Sequence, residues 1–211
     1  MPCAEYPMPD IHPNTRILAP IYADFDLQAA PYKEGAVCRP GCAYCCTHFG
    51  RVDVTTCEAL VIHDWIESLG RDKTTLLRQA CQTNLQDKRQ GRAADCPFLT
   101  STRQCRIYPI RPFSCRRLYS LQPCEARGPV VHRQVMACAD RTIHRLQAAD
   151  RNGYTGHITV ILHLLNQDDF RRSYARGVFD PKKIAAFGRA HGLIINRSAP
   201  EVSDGPPRHH I

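Results

Sequence analysis

Twelve cysteines in 211 residues constrain this chain more than any hydrophobic periodicity, and eight of them fall into two groups. The first is Cys38-x3-Cys42-x2-Cys45-Cys46, in which Pro40-Gly41 makes a turn with thiols at both ends of a short loop. The second is Cys96, Cys105, Cys115 and Cys124, separated by eight, nine and eight residues. Short spacings let one loop contribute several ligands at little loop-closure cost, and soft thiolates select zinc or iron. The second group is too irregular for a zinc-finger pattern but long enough to fold around a metal carried by the first. All eight are therefore read as metal ligands. They could fill two four-thiolate sites, or one cluster with further thiols around it. Because vicinal side chains diverge, Cys45 and Cys46 are awkward partners on one metal, so one of them is expected to serve another site, a cluster edge or packing.

The remaining cysteines read differently. Cys57 in a first helical turn and Cys81 on an apolar helix face are expected to pack as small apolar side chains, and Cys3 and Cys138 likewise. His48 lies two residues beyond Cys46 and is read as a neighbouring donor or a solvated residue rather than a ligand. The N-terminal Met-Pro-Cys-Ala-Glu-Tyr-Pro has neither a basic start nor an apolar run of secretory length, and the longest apolar stretch, Ile158 to Leu165, is broken by His163. The expected location is the cytoplasm, with no membrane partner, where clustered cysteines serve metals or redox chemistry more often than disulfides.

A formal net charge of +8 and a pI near 9.0 would suit an acidic partner, but Arg103, Arg106, Arg111, Arg116, Arg117 and Arg127 sit within or just after the second cysteine group. Four thiolates around zinc or a [4Fe–4S] core leave a net anion, so local neutralisation accounts for these arginines and nucleic acid is not the expected partner. Arg111 and Arg116 are the candidates to contact the cofactor, through charge-assisted hydrogen bonds to thiolate or inorganic sulfur. Phe98, Tyr108 and Phe113 are expected to keep water from the site rather than to stack on bases. With no Gly-rich phosphate loop, nucleophile elbow or helical His-Glu-x-x-His, any chemistry would run through the metal. Its protein partner or substrate does not follow from these residues.

The expected fold is mainly α: a small helical domain with irregular Cys-rich loops around a metal centre, an extended N-terminal arm and a disordered C-terminal tail. Residues 1–35, with six prolines, make the arm; 36–128 form the cysteine-cluster domain, 129–197 its helical C-terminal part, and 198–211 the tail. Thr55-Thr56-Cys57-Glu58 reads as a capping box opening a helix with Leu60, Val61, Ile62, Trp65, Ile66 and Leu69 on its apolar face, ending at Gly70. A second helix is expected over 72–88 with Leu76, Leu77, Ala80, Cys81 and Leu85 inward. Further helices are read near Ile143 and Leu146, over 158–165, and from Asp180-Pro181 to Gly192.

Cys38-x3-Cys42-x2-Cys45-Cys46, Cys96-Pro-Phe-Leu and Cys105-Arg-Ile-Tyr-x-x-Arg111-Pro112-x-x-Cys115-Arg116, in that order, resemble the YkgJ-type cysteine-cluster family of zinc- or iron-chelating proteins, which includes the flagellin lysine N-methylase branch. The resemblance spans about residues 36–128, and Cys124 sits where family members tend to carry a further cysteine. It implies a bound metal, with an iron–sulfur cluster favoured and zinc the alternative, and in the methylase branch methyl transfer to protein lysines. Cys38-x3-Cys42-x-Tyr44-Cys45 also resembles the cluster loop of radical S-adenosylmethionine enzymes, but the long strand–helix alternation those enzymes need does not follow it.

Overall fold

The computed structural model describes residues 13–48, 51–125, 128–177 and 181–198. Its helices are α1 (Pro13–Ala29), α2 (Tyr44–Thr47), α3 (Thr56–Glu67), α4 (Arg71–Arg89), α5 (Phe113–Arg116), α6 (Arg133–Ala149), α7 (Ile158–Leu165), α8 (Asp168–Arg176) and α9 (Pro181–His191). Three short strands, β1 (Asp53–Thr55), β2 (Tyr154–His157) and β3 (Ile194–Ile195), form one antiparallel sheet in that order. Val54 lies opposite Gly156, and Thr155 lies opposite both Thr55 and Ile194. A Cβ at Gly156 would meet Leu193 Cδ2 at 2.3 Å, so any larger residue there requires the Leu193 side chain to shift. No helix among the described residues is long and apolar enough to cross a membrane.

Helix α3 organises the interior. Thr55 Oγ1 accepts from Glu58 N, and the Glu58 carboxylate accepts from Thr55 N, so the expected capping box is present. One face of α3 buries Ile62, Trp65 and Ile66 with α4, α7 and β2; the other buries Cys57 and Val61 with α1 and α6. The first core contains Leu77, Ile161, Leu164 and Leu165, and the second Leu18, Phe25, Val135 and Leu146. Thr55→Ala removes both a cap acceptor and a donor to Glu58, and should lower unfolding free energy by about 1–2 kcal/mol in a denaturant titration.

The helical middle and C-terminal part follow the sequence closely, with α4 and α7 at or within one residue of their expected bounds. Three expectations need correction. Residues 13–29 form a helix and 30–32 a 3₁₀ turn, not an extended arm. Pro13 starts α1, and only Pro20 lies inside it; Leu18, Ile21, Phe25 and Ala29 recur at helical spacing and bury one face against α3 and α6, which outweighs the hydrogen bond that Pro20 cannot make. Leu76 is 65% exposed, since the buried stripe of α4 runs through Thr74, Leu77, Cys81, Asn84 and Leu85. Helix α8 was not expected; it is strongly amphipathic, but its inner side is only Phe170, packed on the first core, and Tyr174 one turn on. Of the expected tail 198–211, Ser198 ends a 3₁₀ turn (Asn196–Ser198) and 199–211 lie outside the described residues, as do 1–12 of the expected arm, Cys3 among them.

Candidate metal centre

The cysteine loops are held between the two cores by residues adjacent to the thiols. Cys96 and Cys105 each stand two residues before a buried apolar side chain of the first core, Phe98 and Ile107, and Cys115 stands two residues after Phe113 of the second. Between Cys96 and Cys105 the chain doubles back: Thr100 N donates to Gln104 O at 2.8 Å, Leu99 pairs with Cys105, and Arg106 N donates to Phe98 O at 2.9 Å. Prolines 109 and 112 limit the next stretch to a 3₁₀ turn and the four residues of α5, as the sequence implies. Cys46 O accepts from Cys96 N at 2.8 Å, which joins the first cysteine loop to the second.

Four-residue α2 presents Cys45 and Cys46 in succession, about 100° apart around the helix, so the two thiols face different neighbours. Burial and then the nearby thiols of Cys124, Cys38, Cys46 and Cys42 push Cys45 up to about 11. Cys38 is raised by burial and by Cys42 and Cys124, against a backbone N–H of Ser120 that stabilises its thiolate. Cys46 is raised most by its hydrogen bond with Cys96, then by burial, with Arg103 acting in the opposite sense. Cys115 is raised by burial and by Cys105 and Cys46, with Arg111 opposing. Charge coupling thus links Cys45 to Cys38, Cys42 and Cys124 as well as to Cys46 and Cys115, and Cys115 to Cys105 and Cys46. Among the described residues no three Cys, His, Asp or Glu side chains are grouped so as to hold a metal ion. Where thiols do couple, repulsion between their thiolates is the condition that a bound cation would relieve.

The donor chemistry fits a thiolate-bound metal. The Nε atoms of Arg111 and Arg117 are buried without a hydrogen-bond partner, a costly state for a charged donor. Arg111 stacks on Tyr108 at 3.9 Å and lies near enough to favour the Cys115 thiolate. Arg116 is used otherwise: its Nε donates to Arg111 O, its terminal nitrogen donates to Pro109 O, and it stacks on Tyr22. That arrangement holds the loop. Phe98 and Phe113 are fully buried, whereas Tyr108 is exposed. His48 stacks on Tyr44 and pairs with Thr47, away from a ligand role. Arg127 lies outside the described residues.

The three cysteines expected to pack do so. Cys57, Cys81 and Cys138 are buried, and burial pushes Cys57 and Cys81 up to about 12, which keeps them protonated and inert.

Sequence reading missed Glu58 beyond its cap. Its carboxylate also accepts from Tyr22 OH and from Phe113 N, each at 2.7 Å, so one buried side chain ties α1, the start of α3 and the Cys115 loop together. The capping-box pattern identified the residue, but its contacts with positions 36 and 55 residues away carry no local signal. Asn84 was missed too; with Lys88 and His157 it lines a narrow cleft beside Cys45, Cys46 and Cys96, and its Oδ1 is buried without a partner.

Comparison with known proteins finds no matching family model, no similar curated protein and no matching solved structure.

Proposed function

We propose that the chain is a metal-binding protein with two all-cysteine centres, carrying iron–sulfur in preference to zinc, and with a redox, sensing or protein-modifying role. What supports this reading is eight cysteines borne on two loop stretches that the backbone joins through Cys96 N to Cys46 O, with the unpartnered Nε atoms of Arg111 and Arg117 buried nearby in sequence. Donor sets made only of soft thiolates suit iron–sulfur clusters and zinc, and disfavour magnesium or calcium. Cys38, Cys42, Cys45 and Cys124 would hold one group, and Cys46, Cys96, Cys105 and Cys115 the other. An iron–sulfur cluster supplies one-electron transfer when bound. The protein's part is to exclude water with Phe98, Ile107 and Phe113, and to direct the Arg111 guanidinium towards Cys115.

Zinc is the alternative, because all-thiolate coordination suits it as well as iron–sulfur. The two readings separate on a single sample. Anaerobic purification followed by metal analysis, acid-labile sulfide determination and a visible spectrum should give iron, sulfide and thiolate-to-iron charge-transfer absorption. Colourless protein with stoichiometric zinc would replace the cluster with zinc, and protein that takes up neither metal would overturn the reading.

A further inference from the structure

We infer that Cys46 and Cys96 form a redox dithiol, a pair that a small-molecule disulfide converts to a Cys46–Cys96 disulfide and so withdraws from metal binding. The linkage stands on geometry independent of the metal reading above; only its effect on bound metal rests on that reading.

The two residues are neighbours through the backbone. Cys96 N lies 2.8 Å from Cys46 O, and with standard bond lengths this puts the two Cα atoms no more than about 6.7 Å apart, inside the roughly 4.4–6.8 Å that a disulfide spans. Both side chains line one narrow cleft, together with Asn84, Lys88 and His157, so they leave the backbone towards the same space. In keeping with this, the hydrogen bond with Cys96 is the largest influence on the Cys46 thiol. Cys45 lines the cleft as well, but it is the Cys46 carbonyl that Cys96 N binds, and the Cys45 side chain is turned about 100° away around α2.

Both ends of the pair are held where the bond would form. Cys46 N donates at 2.9 Å to the carbonyl of buried Ala43. Buried Asn84 donates Nδ2 to Asp95 O at 2.7 Å, which fixes the residue before Cys96, and Cys96 O accepts from Leu99 N at 3.0 Å beside fully buried Phe98. Closing the link therefore opens neither core. Each thiol is only half-buried, so a small disulfide can reach it from the cleft.

The exchange balances in two steps. One thiol of the pair, as its thiolate, attacks a sulfur of the small disulfide, breaks that S–S bond and expels one small thiolate. The second attacks the protein sulfur of the mixed disulfide, forms the Cys46–Cys96 bond and expels the other. The two thiol protons pass to the two expelled thiolates; the pair is oxidised by two electrons and the small disulfide is reduced.

The test treats the full chain, as purified and after incubation with EDTA, with excess oxidised glutathione, followed by alkylation of remaining thiols and tryptic mapping. The expected product joins the peptide 34–51 to the peptide 93–103, which carries Cys96 as its one cysteine. Fragmentation between Cys45 and Cys46 should place the bond on Cys46, in about half of the chains or more, and dithiothreitol should reverse it. Cys45→Ser should keep the link and Cys96→Ser should abolish it. Absence of the link in both samples, a bond to Cys45 instead, or linkage spread evenly over the other cysteines would overturn the dithiol. Metal counted in the same tubes tests the other reading separately. Link formation with proportionate metal release supports both; a link formed with all metal retained removes Cys46 and Cys96 from the ligands while leaving the dithiol intact; metal release without the link overturns the dithiol alone.

Discussion

Cys46→Ser is expected to remove one of two metal centres and spare the other, and Cys45→Ser to do the reverse, although the two residues are adjacent. The two thiols stand about 100° apart around α2, and the proposed two-centre reading gives Cys46 to the set with Cys96 and Cys45 to the set with Cys124 and Cys38. The consequences for stability should be unequal. Thiolate–metal sites coupled to folding contribute on the order of 10 kcal/mol, and the Cys46 set is the one attached to both cores. Its loss should lower the melting temperature by roughly 20 °C or more, whereas loss of the exposed Cys38 and Cys42 set should cost much less. Cys81→Ser is the control: a buried thiol outside both sets, it should keep both metals while losing some packing. Metal analysis and thermal unfolding of the same preparations check all three variants. If Cys45→Ser and Cys46→Ser removed the same metal, the division into two sets would be wrong.

The second large effect concerns pH and does not involve the metal. Asp150 is 3% exposed and receives Tyr174 OH at 2.7 Å, Asn196 Nδ2 at 3.0 Å and Cys57 N at 3.1 Å, which joins α8 and the 3₁₀ turn Asn196–Ser198 to the start of α3. Burial outweighs these donors and raises its carboxyl from 3.8 to about 7. A carboxylate whose folded-state pKa is raised favours the folded state when protonated. Its contribution is therefore complete below about pH 4 and is lost as pH rises through 7. A shift of about three units corresponds to about 4 kcal/mol of stability drawn away over that window. The melting temperature should accordingly fall between pH 5 and 8. Metal ligands also release protons on binding, so the informative quantity is the difference between the parent and Asp150→Asn, which keeps the shape and cannot ionise. Asp150→Asn should flatten the pH dependence, and an unchanged slope would assign it to other groups. Asp150→Ala, by contrast, leaves three buried donors without an acceptor and should cost about 3 kcal/mol or more at any pH.

These two cases mark where local reading succeeds and where it stops. Helix α3 was legible because its cap, its apolar face and its end are all encoded within a dozen residues, and α7 because an eight-residue apolar run has few other places to go. Helix α1 was missed because its prolines are conspicuous, while its four buried residues acquire meaning only against α3 and α6. Helix α8 was missed because its pattern is only two residues deep, Phe170 and Tyr174 at one-turn spacing among charged neighbours.

The candidate site divides in the same way. Spacing alone singles out eight cysteines as candidate ligands, because ligands on short loops must be close in sequence to be close in space at small entropic cost. It also separated Cys57, Cys81 and Cys138, which are buried. How the cysteine loops are held came from tertiary structure. Cys124 joins the Cys38 loop across more than eighty residues of chain, and Glu58 reaches Phe113 from a helix cap 55 residues away. Such pairings depend on how two cores enclose a loop, a global balance of buried area and satisfied hydrogen bonds that no window of sequence contains.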